Sequence, residues 1–266
     1  NIMRKIAIHS VPRSGSTWLG EILNSSPDVK YCFQPLFSYQ FKDFLDEGSS
    51  REEVDRFFML LSNTDDDYIC QKLQRRAGTL PSPNKSKLAT HVIYKEVRYH
   101  HILENLLRVD QGLKLILLVR DPIEVINSWI NAPKEFNTSW DIEEQLISGS
   151  LKNLERKENF YGLEAWVKTT NHFEHLSKSF EERILLVNYS ALRYDMNLTV
   201  KKIYNFCNLE FTNSTSNFLK DCIKRNVNDA YSVYRGRKKI KITLSKSTIE
   251  KITQYVKDAN LSHYIN

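Results

Sequence analysis

The chain of 266 residues carries 38 Lys and Arg against 32 Asp and Glu, a net charge of +6, with 41% hydrophobic and 26% charged residues. These are ordinary globular proportions in a chain long enough to bury a substantial core, and they exclude wholesale disorder. They also exclude a membrane-spanning protein, because the most continuous apolar stretch, Leu113 to Val119, is interrupted by Lys114 and is far too short to cross a bilayer.

Asn1 to Lys5 runs directly into a first strand, Ile6 to Val11, with no charged-then-apolar leader before it. A tight turn follows at Pro12 to Thr17, and Trp18, Leu19, Ile22 and Leu23 recur at helical spacing. Val29 to Phe33 reads as a second strand that stops at Gln34 and Pro35. Phe37, Phe41, Phe44 and Leu45 then form one apolar stripe and Val54, Phe57, Phe58 and Leu61 another, which predicts two helices joined at Gly48 to Ser50. Asn63 to Asp67 lacks the ligand alternation of a calcium loop and reads as a solvated turn. Gly78 to Lys87, with two prolines among polar residues, reads as a flexible surface connection.

Ala89 to Tyr99 predicts a third strand carrying Lys95, Glu96 and Arg98, followed by a helix through Ile102 to Leu107 that ends at Gly112. Leu113 to Val119 is a fourth strand, apolar enough to be buried on both faces, and Pro122 suits the first turn of a helix over 123–130. After the polar loop 131–141, residues 142–180 read as largely helical with an interruption at Gly162. Ile184 to Val187 is a fifth strand, ending at Asn188 to Ser190. Helices at 199–207, around 218–223 and at 245–256 complete the chain, with a basic, tyrosine-containing segment over 231–241 before the last. Strands alternating with helices predict one α/β domain over 1–266, built on a parallel sheet of about five strands flanked by helices. Cys32, Cys70, Cys207 and Cys222 stand far apart and read as free buried thiols, with neither a zinc site nor a disulfide framework.

In such sheets ligands bind beyond the carboxyl ends of the strands, where the Arg13 loop, Gln34, the Lys95 segment and Arg120 all fall. A loop ending at a helix N-terminus offers backbone N–H groups and the positive end of the helix dipole; here Arg13 adds a fixed charge and Ser14, Ser16 and Thr17 add hydroxyls. A second anion element follows the fourth strand at 120–128, so the ligand has separated anionic groups, as in a nucleotide phosphorylated at both ends. The basic residues are otherwise spread out apart from 235–241, which fits a small anionic ligand rather than nucleic acid. A P-loop kinase or ATPase is the nearest rival, but no Lys followed by Ser or Thr comes after Gly15 to hold a γ-phosphate and Mg²⁺.

The run Pro12 Arg13 Ser14 Gly15 Ser16 Thr17 Trp18 Leu19 resembles the 5′-phosphosulfate loop of the sulfotransferase family. Leu118 to Pro122, with Ser128 eight residues past Arg120, resembles its 3′-phosphate strand and helix, and both motifs stand in the family's order. Looser likenesses fall at Lys95 to Arg98, at Val187 to Leu192 and at Tyr234 to Lys238. The resemblance implies a P-loop-NTPase-like core and transfer of a sulfuryl group from 3′-phosphoadenosine 5′-phosphosulfate (PAPS) to an acceptor hydroxyl, leaving 3′-phosphoadenosine 5′-phosphate (PAP). It places Arg13, Ser14, Gly15, Ser16, Thr17 and Trp18 at the 5′-phosphosulfate, Arg120 and Ser128 at the 3′-phosphate, Tyr189 beside the adenine, and Arg235, Gly236 and Arg237 over the 3′ side. Arg13 and Lys95 would stabilise the leaving phosphate, and a sulfuryl group carries so little charge that no metal is required.

The base is left open among three residues. Glycan-modifying relatives carry a Glu where Gln34 stands, and cytosolic ones a His where Val97 and Arg98 stand, so His100, His101 and Glu96 are the candidates, with Gln34 and Arg98 on the acceptor side. The loop and the Pro-Leu after the second strand are closer to the glycan-modifying members, which makes a carbohydrate the expected acceptor. A lipid or other alcohol, a peptide tyrosine, or a nucleotide-binding module without catalysis are the alternatives. The expected compartment is a bacterial cytoplasm, with peripheral membrane attachment as a variant and the Golgi lumen if an anchor has been removed.

Overall fold

The segments read as strands pair side by side in a computed structural model that describes residues 3–227, 229–234 and 239–266. Strands β1 Arg4–His9, β2 Val29–Phe33, β3 His91–Glu96, β4 Lys114–Val119 and β5 Ile184–Asn188 form one parallel sheet in the order β2-β3-β1-β4-β5. In register, Ile8 lies between Lys95 and Ile116, and His9 between Glu96 and Leu117. The helices in chain order are α1 Ser16–Asn24, α2 Arg51–Asn63, α3 Lys72–Arg76, α4 Leu103–Val109, α5 Pro122–Ile130, α6 Ile142–Gln145, α7 Ser150–Asn153, α8 Leu163–Ser179, α9 Tyr189–Tyr194, α10 Met196–Cys207, α11 Asn213–Lys224 and α12 Lys246–Asp258.

Successive strand residues point to opposite faces, and this alternation sorts the apolar side chains into two cores. On one face Ala7, Val92, Tyr94, Leu115 and Leu117 pack with α2, α4, α5, α8 and α12; on the other Ile6, Ile8, Ile93, Ile116 and Leu118 pack with α1, α9, α10 and α11. Each fully buried Leu, Ile or Phe contributes roughly 1.5–3 kcal/mol, so a strand such as β4, covered on both sides, anchors both layers. The chain leaves β1 toward β2 on one side and leaves β4 toward β5 on the other. The connections therefore diverge between β1 and β4, opening a crevice at their carboxyl ends where the β1–α1 and β4–α5 corners meet. Among the described residues, no helix is long and apolar enough to cross a membrane.

The strands fall where the sequence places them, although β3 ends at Glu96 and leaves Arg98 beyond it, and three other segments differ. The stripe from Phe37 to Leu45 is not a helix beyond a single 3₁₀ turn at Pro35–Phe37. Ser38 Oγ takes up the backbone there, donating to the Pro35 carbonyl and accepting from Phe41 N–H, so the chain turns instead of coiling; Phe41 and Leu45 still reach the core while Phe37 is 47% exposed. The long helical reading over 142–180 breaks into α6, α7 and α8, with Gly149 and Gly162 at φ 56° and 93°. The connection 78–87 is pinned rather than loose. Arg75 grips the fully buried carboxylate of Glu21 with two nitrogens, at 2.8 and 3.1 Å, and Lys85 Nζ donates to the carbonyls of Asn24 and Ser26. The four cysteines are free; Cys32, Cys207 and Cys222 are buried, whereas Cys70, read as buried, is half-buried.

Candidate functional site

β1 ends at His9, and the chain turns through Pro12, Arg13, Ser14 and Gly15 into α1. Arg13 and Gly15 both have positive φ, at 67° and 92°. A Cβ at position 15 would lie 2.5 Å from Tyr189 Cε2, so glycine serves both the backbone conformation and the close approach of the loop to the tyrosine that follows β5. Gly15 gives α1 no side-chain cap, and the first turn of the helix holds no acidic residue. The N–H groups of that turn therefore present an open positive end, beside a buried Ser14 Oγ that has no partner.

The β4–α5 corner is built differently. Asp121 Oδ1 accepts from the N–H of Ile123 at 2.7 Å and of Glu124 at 3.4 Å, while Oδ2 accepts from Asn266 N–H at 2.9 Å. This helix N-terminus is closed by its own carboxylate. What the corner presents is the Arg120 side chain, whose Nε donates to Glu124 Oε2 at 2.8 Å, whose Nη1 donates to the Arg13 carbonyl at 3.0 Å, and whose guanidinium lies over the Tyr189 ring at 4.2 Å. Arg13 ties the two corners together. Its Nε donates to Ser128 Oγ on α5 at 3.1 Å, its Nη2 donates to the Ala230 carbonyl at 2.6 Å, and its guanidinium faces Tyr231 at 5.1 Å. Burial lowers the Arg13 pKa, opposed by Tyr231, Tyr161 and Glu135, and an arginine remains charged under such a shift.

Between the corners lies a cavity of about 1060 Å³. One wall is aromatic: Trp18 stands edge-on to Tyr189 at 6.1 Å, and Tyr234 has Arg225 over its ring at 3.8 Å. The lining also carries Gln34, Lys95, Val97, Lys134, Glu135 and Tyr161. Among the described residues, no group of three or more His, Cys, Asp or Glu side chains could hold a metal ion.

A family model described as a sulfotransferase domain matches residues 3–258. The chain belongs to the sulfotransferase family. No curated protein matches it at a significant level. Solved structures with the same fold include a sulfotransferase from Alicyclobacillus acidocaldarius, at TM-score 0.57 and 11% identity over 99% of this chain and 97% of that one. The sulfotransferase domain of the Synechococcus olefin synthase matches at TM-score 0.53 and 20% identity, covering 96% and 95%. A mouse sulfotransferase complexed with PAP matches at TM-score 0.55 and 14% identity, covering 98% and 86%. At these identities the likeness speaks to the fold alone.

In this sulfotransferase the residues that the sequence singles out are divided between the cavity and the core. Arg13, Gly15, Ser16, Thr17, Trp18, Gln34, Lys95, Arg120, Ser128 and Tyr189 line the cavity, with Ser14 buried behind them. Lys95 is fully buried below the rim, with Nζ 4.2 Å from the Phe33 ring centre, and burial pushes its pKa below the ordinary lysine value. Glu96 points the other way: it is fully buried off the cavity, its Oε1 accepts from Leu36 N–H at 2.7 Å, and its Oε2 has no partner. Burial raises its pKa, and its position under the Pro35–Phe37 turn makes it a support for that turn. Arg98 stacks on Phe37 at 4.1 Å and donates through Nη1 to Gln34 Oε1 at 3.0 Å, which fixes the Gln34 amide.

His100 and His101 are also away from the cavity lining. His100 is buried, sharing a 2.9 Å hydrogen bond between its Nδ1 and Nδ1 of His9, while His9 Nε2 bonds Tyr94 Oη at 3.2 Å. Burial drives both His9 and His100 toward the neutral form, His9 down to about 3. His101 Nδ1 is buried without a partner, and its ring lies near Tyr99. A histidine at this point of the chain reads as a base because histidine titrates near neutrality; the 3₁₀ turn at His100–Ile102 instead carries His100 back under β1. Arg235, Gly236 and Arg237 lie outside the described residues.

The sequence gives no sign of Glu135, which stands in what reads as a plain polar loop. Its backbone is pinned by Glu135 N–H to the Ala132 carbonyl at 2.8 Å and by Trp129 Nε1 to its own carbonyl at 3.2 Å. Its Oε2 accepts from Tyr161 Oη at 2.8 Å and pairs with Lys152 Nζ at 2.7 Å. Pro133 and the acidic residue two positions on, just past the end of α5, are the one local hint of a shaped turn.

Proposed function

We infer that this chain is a single-domain enzyme over 1–266 that transfers a sulfuryl group from PAPS to an acceptor hydroxyl, with a carbohydrate as the acceptor. The observation that carries this reading is the pairing of an uncapped helix N-terminus with the Arg120 and Ser128 corner across one cavity, bridged by Arg13. Such an arrangement suits a nucleotide with anionic groups at both ends of the ribose. The 5′-phosphosulfate would take the amides of the first turn of α1 and the Arg13 side chain, and the 3′-phosphate Arg120 and Ser128. Adenine would lie by Trp18 and Tyr189, and the Arg235 segment would cover the 3′ side.

In the transfer the acceptor oxygen forms a bond to sulfur as the bond from sulfur to the bridging oxygen breaks. The electron pair leaves on the 5′-phosphate of PAP. Charge grows on that phosphate, where Arg13, the α1 amides and Lys95 would meet it; a dianion beside the buried Lys95 favours its protonated form. The wall made by Gln34, Lys95, Lys134, Glu135 and Tyr161 is polar and charged, which favours a polyhydroxylated acceptor over a flat hydrophobic alcohol. A cytoplasmic location accompanies this reading.

Isothermal titration of PAP against ADP tests the nucleotide site, and transfer of labelled sulfate from PAPS over a panel of glycans, lipids and tyrosine peptides tests the reaction. Preference for PAP with transfer to a glycan is the expected result. Equal affinity for ADP overturns the nucleotide assignment. Tight PAP binding with no transfer identifies a binding module, a reading that the neutral Gln34 amide, held by Arg98, would suit.

A further inference from the structure

The geometry points to Glu135 as the carboxylate that takes the acceptor's proton, held in place by Lys152 and Tyr161. This rests on the sulfuryl-transfer reading above and assigns the base within it. Three carboxylates line the cavity among the described residues, Glu135, Asp195 and Asp229. Asp229 is occupied in its own turn, accepting from Tyr231 N–H at 2.7 Å. Asp195 joins α9 to α10, on the side of Tyr189 and Tyr194. Glu135 lies close enough to Arg98, which holds Gln34, and to Arg13 for their charges to act on one another.

Among the described residues both bonds of the Glu135 carboxylate fall on one oxygen, Oε2, with Tyr161 Oη and Lys152 Nζ. Among the described residues Oε1 has no hydrogen bond, so one oxygen is held and the other is left to accept. Lys152 also lies over the Tyr161 ring at 5.3 Å, and that ring packs on Trp129 at 5.3 Å, so the holding groups are themselves fixed. The groups facing Glu135 from the elements around it are Lys152 on α7, Tyr161 before α8, Arg98 after β3, Arg13 in the β1–α1 loop and Tyr68. Lys152, Tyr161 and Arg98 together outweigh burial and keep the carboxyl below its ordinary pKa, ionised at neutral pH. The three alternatives nearby do not meet these conditions. Glu96 is sealed off the cavity, His100 is bonded to His9 in the core, and His101 lies off the cavity lining.

The step balances without another reactant. The acceptor O–H proton passes to Glu135 Oε1 as the acceptor oxygen bonds to sulfur, the bond from sulfur to the 5′-phosphate oxygen breaks with its electron pair staying on PAP, and the neutral Glu135 then returns its proton to water.

The test uses water and glycerol as probe acceptors, with PAP release from labelled PAPS as the readout and PAP affinity measured beside it. Glu135→Gln is expected to hold PAP within about threefold of the parent while release to both probes falls by about a hundredfold or more. Formate added to Glu135→Gly is expected to restore part of the rate. Lys152→Met is expected to move the acid limb of the rate profile to higher pH, because the charge that depresses Glu135 is gone; a merely structural role would leave that limb in place. A Glu135→Gln variant with parental release, or one that loses PAP affinity in step with release, overturns the assignment. So does a parent protein that binds PAP but releases none from PAPS to either probe or any glycan. Absence of PAP binding in the parent overturns the sulfuryl-transfer reading itself, and is seen before any variant is made.

Discussion

The β1–α1 and β4–α5 corners share a topology: each carries a buried parallel strand into a helix, and each places an arginine at the turn. They differ in who satisfies the helix. At α1 the residue before the helix is Gly15, the first turn has no acid, and the N–H groups remain open. At α5 Asp121 caps the helix and Glu124 adds a second negative charge in its first turn, pairing with Arg120. An open helix end can recognise an anion with its backbone, whereas a capped one can do so only with side chains carried on it. The two anion elements that look equivalent in sequence are therefore of different kinds, one made of amides and one made of Arg120 and Ser128.

The largest effect that would break this contrast is loss of the charge shared by both corners. Arg13→Ala is expected to lower turnover from PAPS by about 10²–10³, the range for removing a donor to a developing oxyanion, with an unchanged far-ultraviolet circular dichroism spectrum. Parental turnover would remove Arg13 from the leaving-phosphate role. Next, Ser16→Asp would close the open corner by giving α1 an acidic first turn. PAP affinity should fall by about tenfold or more while thermal stability stays level or rises slightly, since a negative charge favours the N-terminus of a helix. Unaltered PAP affinity would show that the amides do not bind the anion.

Beneath the open corner, the His9 and His100 pair gives that end of β1 a dependence on acid. Burial holds His9 at about 3, below its value in the unfolded chain, so the folded state favours the neutral ring. That contribution is complete above the unfolded value near 6.5 and is lost as pH falls from there toward about 3. Urea unfolding midpoints should decline across this window, and His9→Gln should decline less; equal slopes would detach the pair from acid sensitivity. The smallest effect is at the closed corner. Asp121→Ala should cost about 0.5–2 kcal/mol in urea unfolding by uncapping α5, with the larger part of the loss in stability rather than in PAP affinity.

How much of this was legible in the sequence follows from the range of the interactions. β4 is legible to within one residue because a strand buried on both faces needs a near-continuous apolar run, and β2 is legible to the residue because its short apolar run is bounded by Pro27 and Asp28 before it and by Gln34 and Pro35 after it. The Arg13 loop is legible because Gly15 and the hydroxyls around it lie within one turn of chain. Ser38 diverting the backbone at Phe37 is a local bond that the apolar stripe hides. Beyond the hint of a turn at Pro133, Glu135 is not legible, since its setting comes from Tyr161 and Lys152 and from cavity neighbours distant in the chain, Gln34 after β2 and Lys95 on β3. His100 misleads for the same reason: a histidine's residue type suggests titration near neutrality, and only tertiary burial reveals a ring kept neutral in the core.

The bond from Arg13 Nη2 to the Ala230 carbonyl makes one guanidinium both a clasp on the 229–234 segment and the group proposed to meet the donor. An incoming phosphosulfate must share or displace that carbonyl, so occupancy of the site and the hold on this stretch are linked equilibria, each changing the other by the same factor. A lysine at position 13 would keep the charge but lack the planar fork that reaches Ser128 and Ala230 together. Charge and clasp would then come apart, and the exchange Arg13→Lys would loosen the wall of the cavity even where it preserved the pull on the anion.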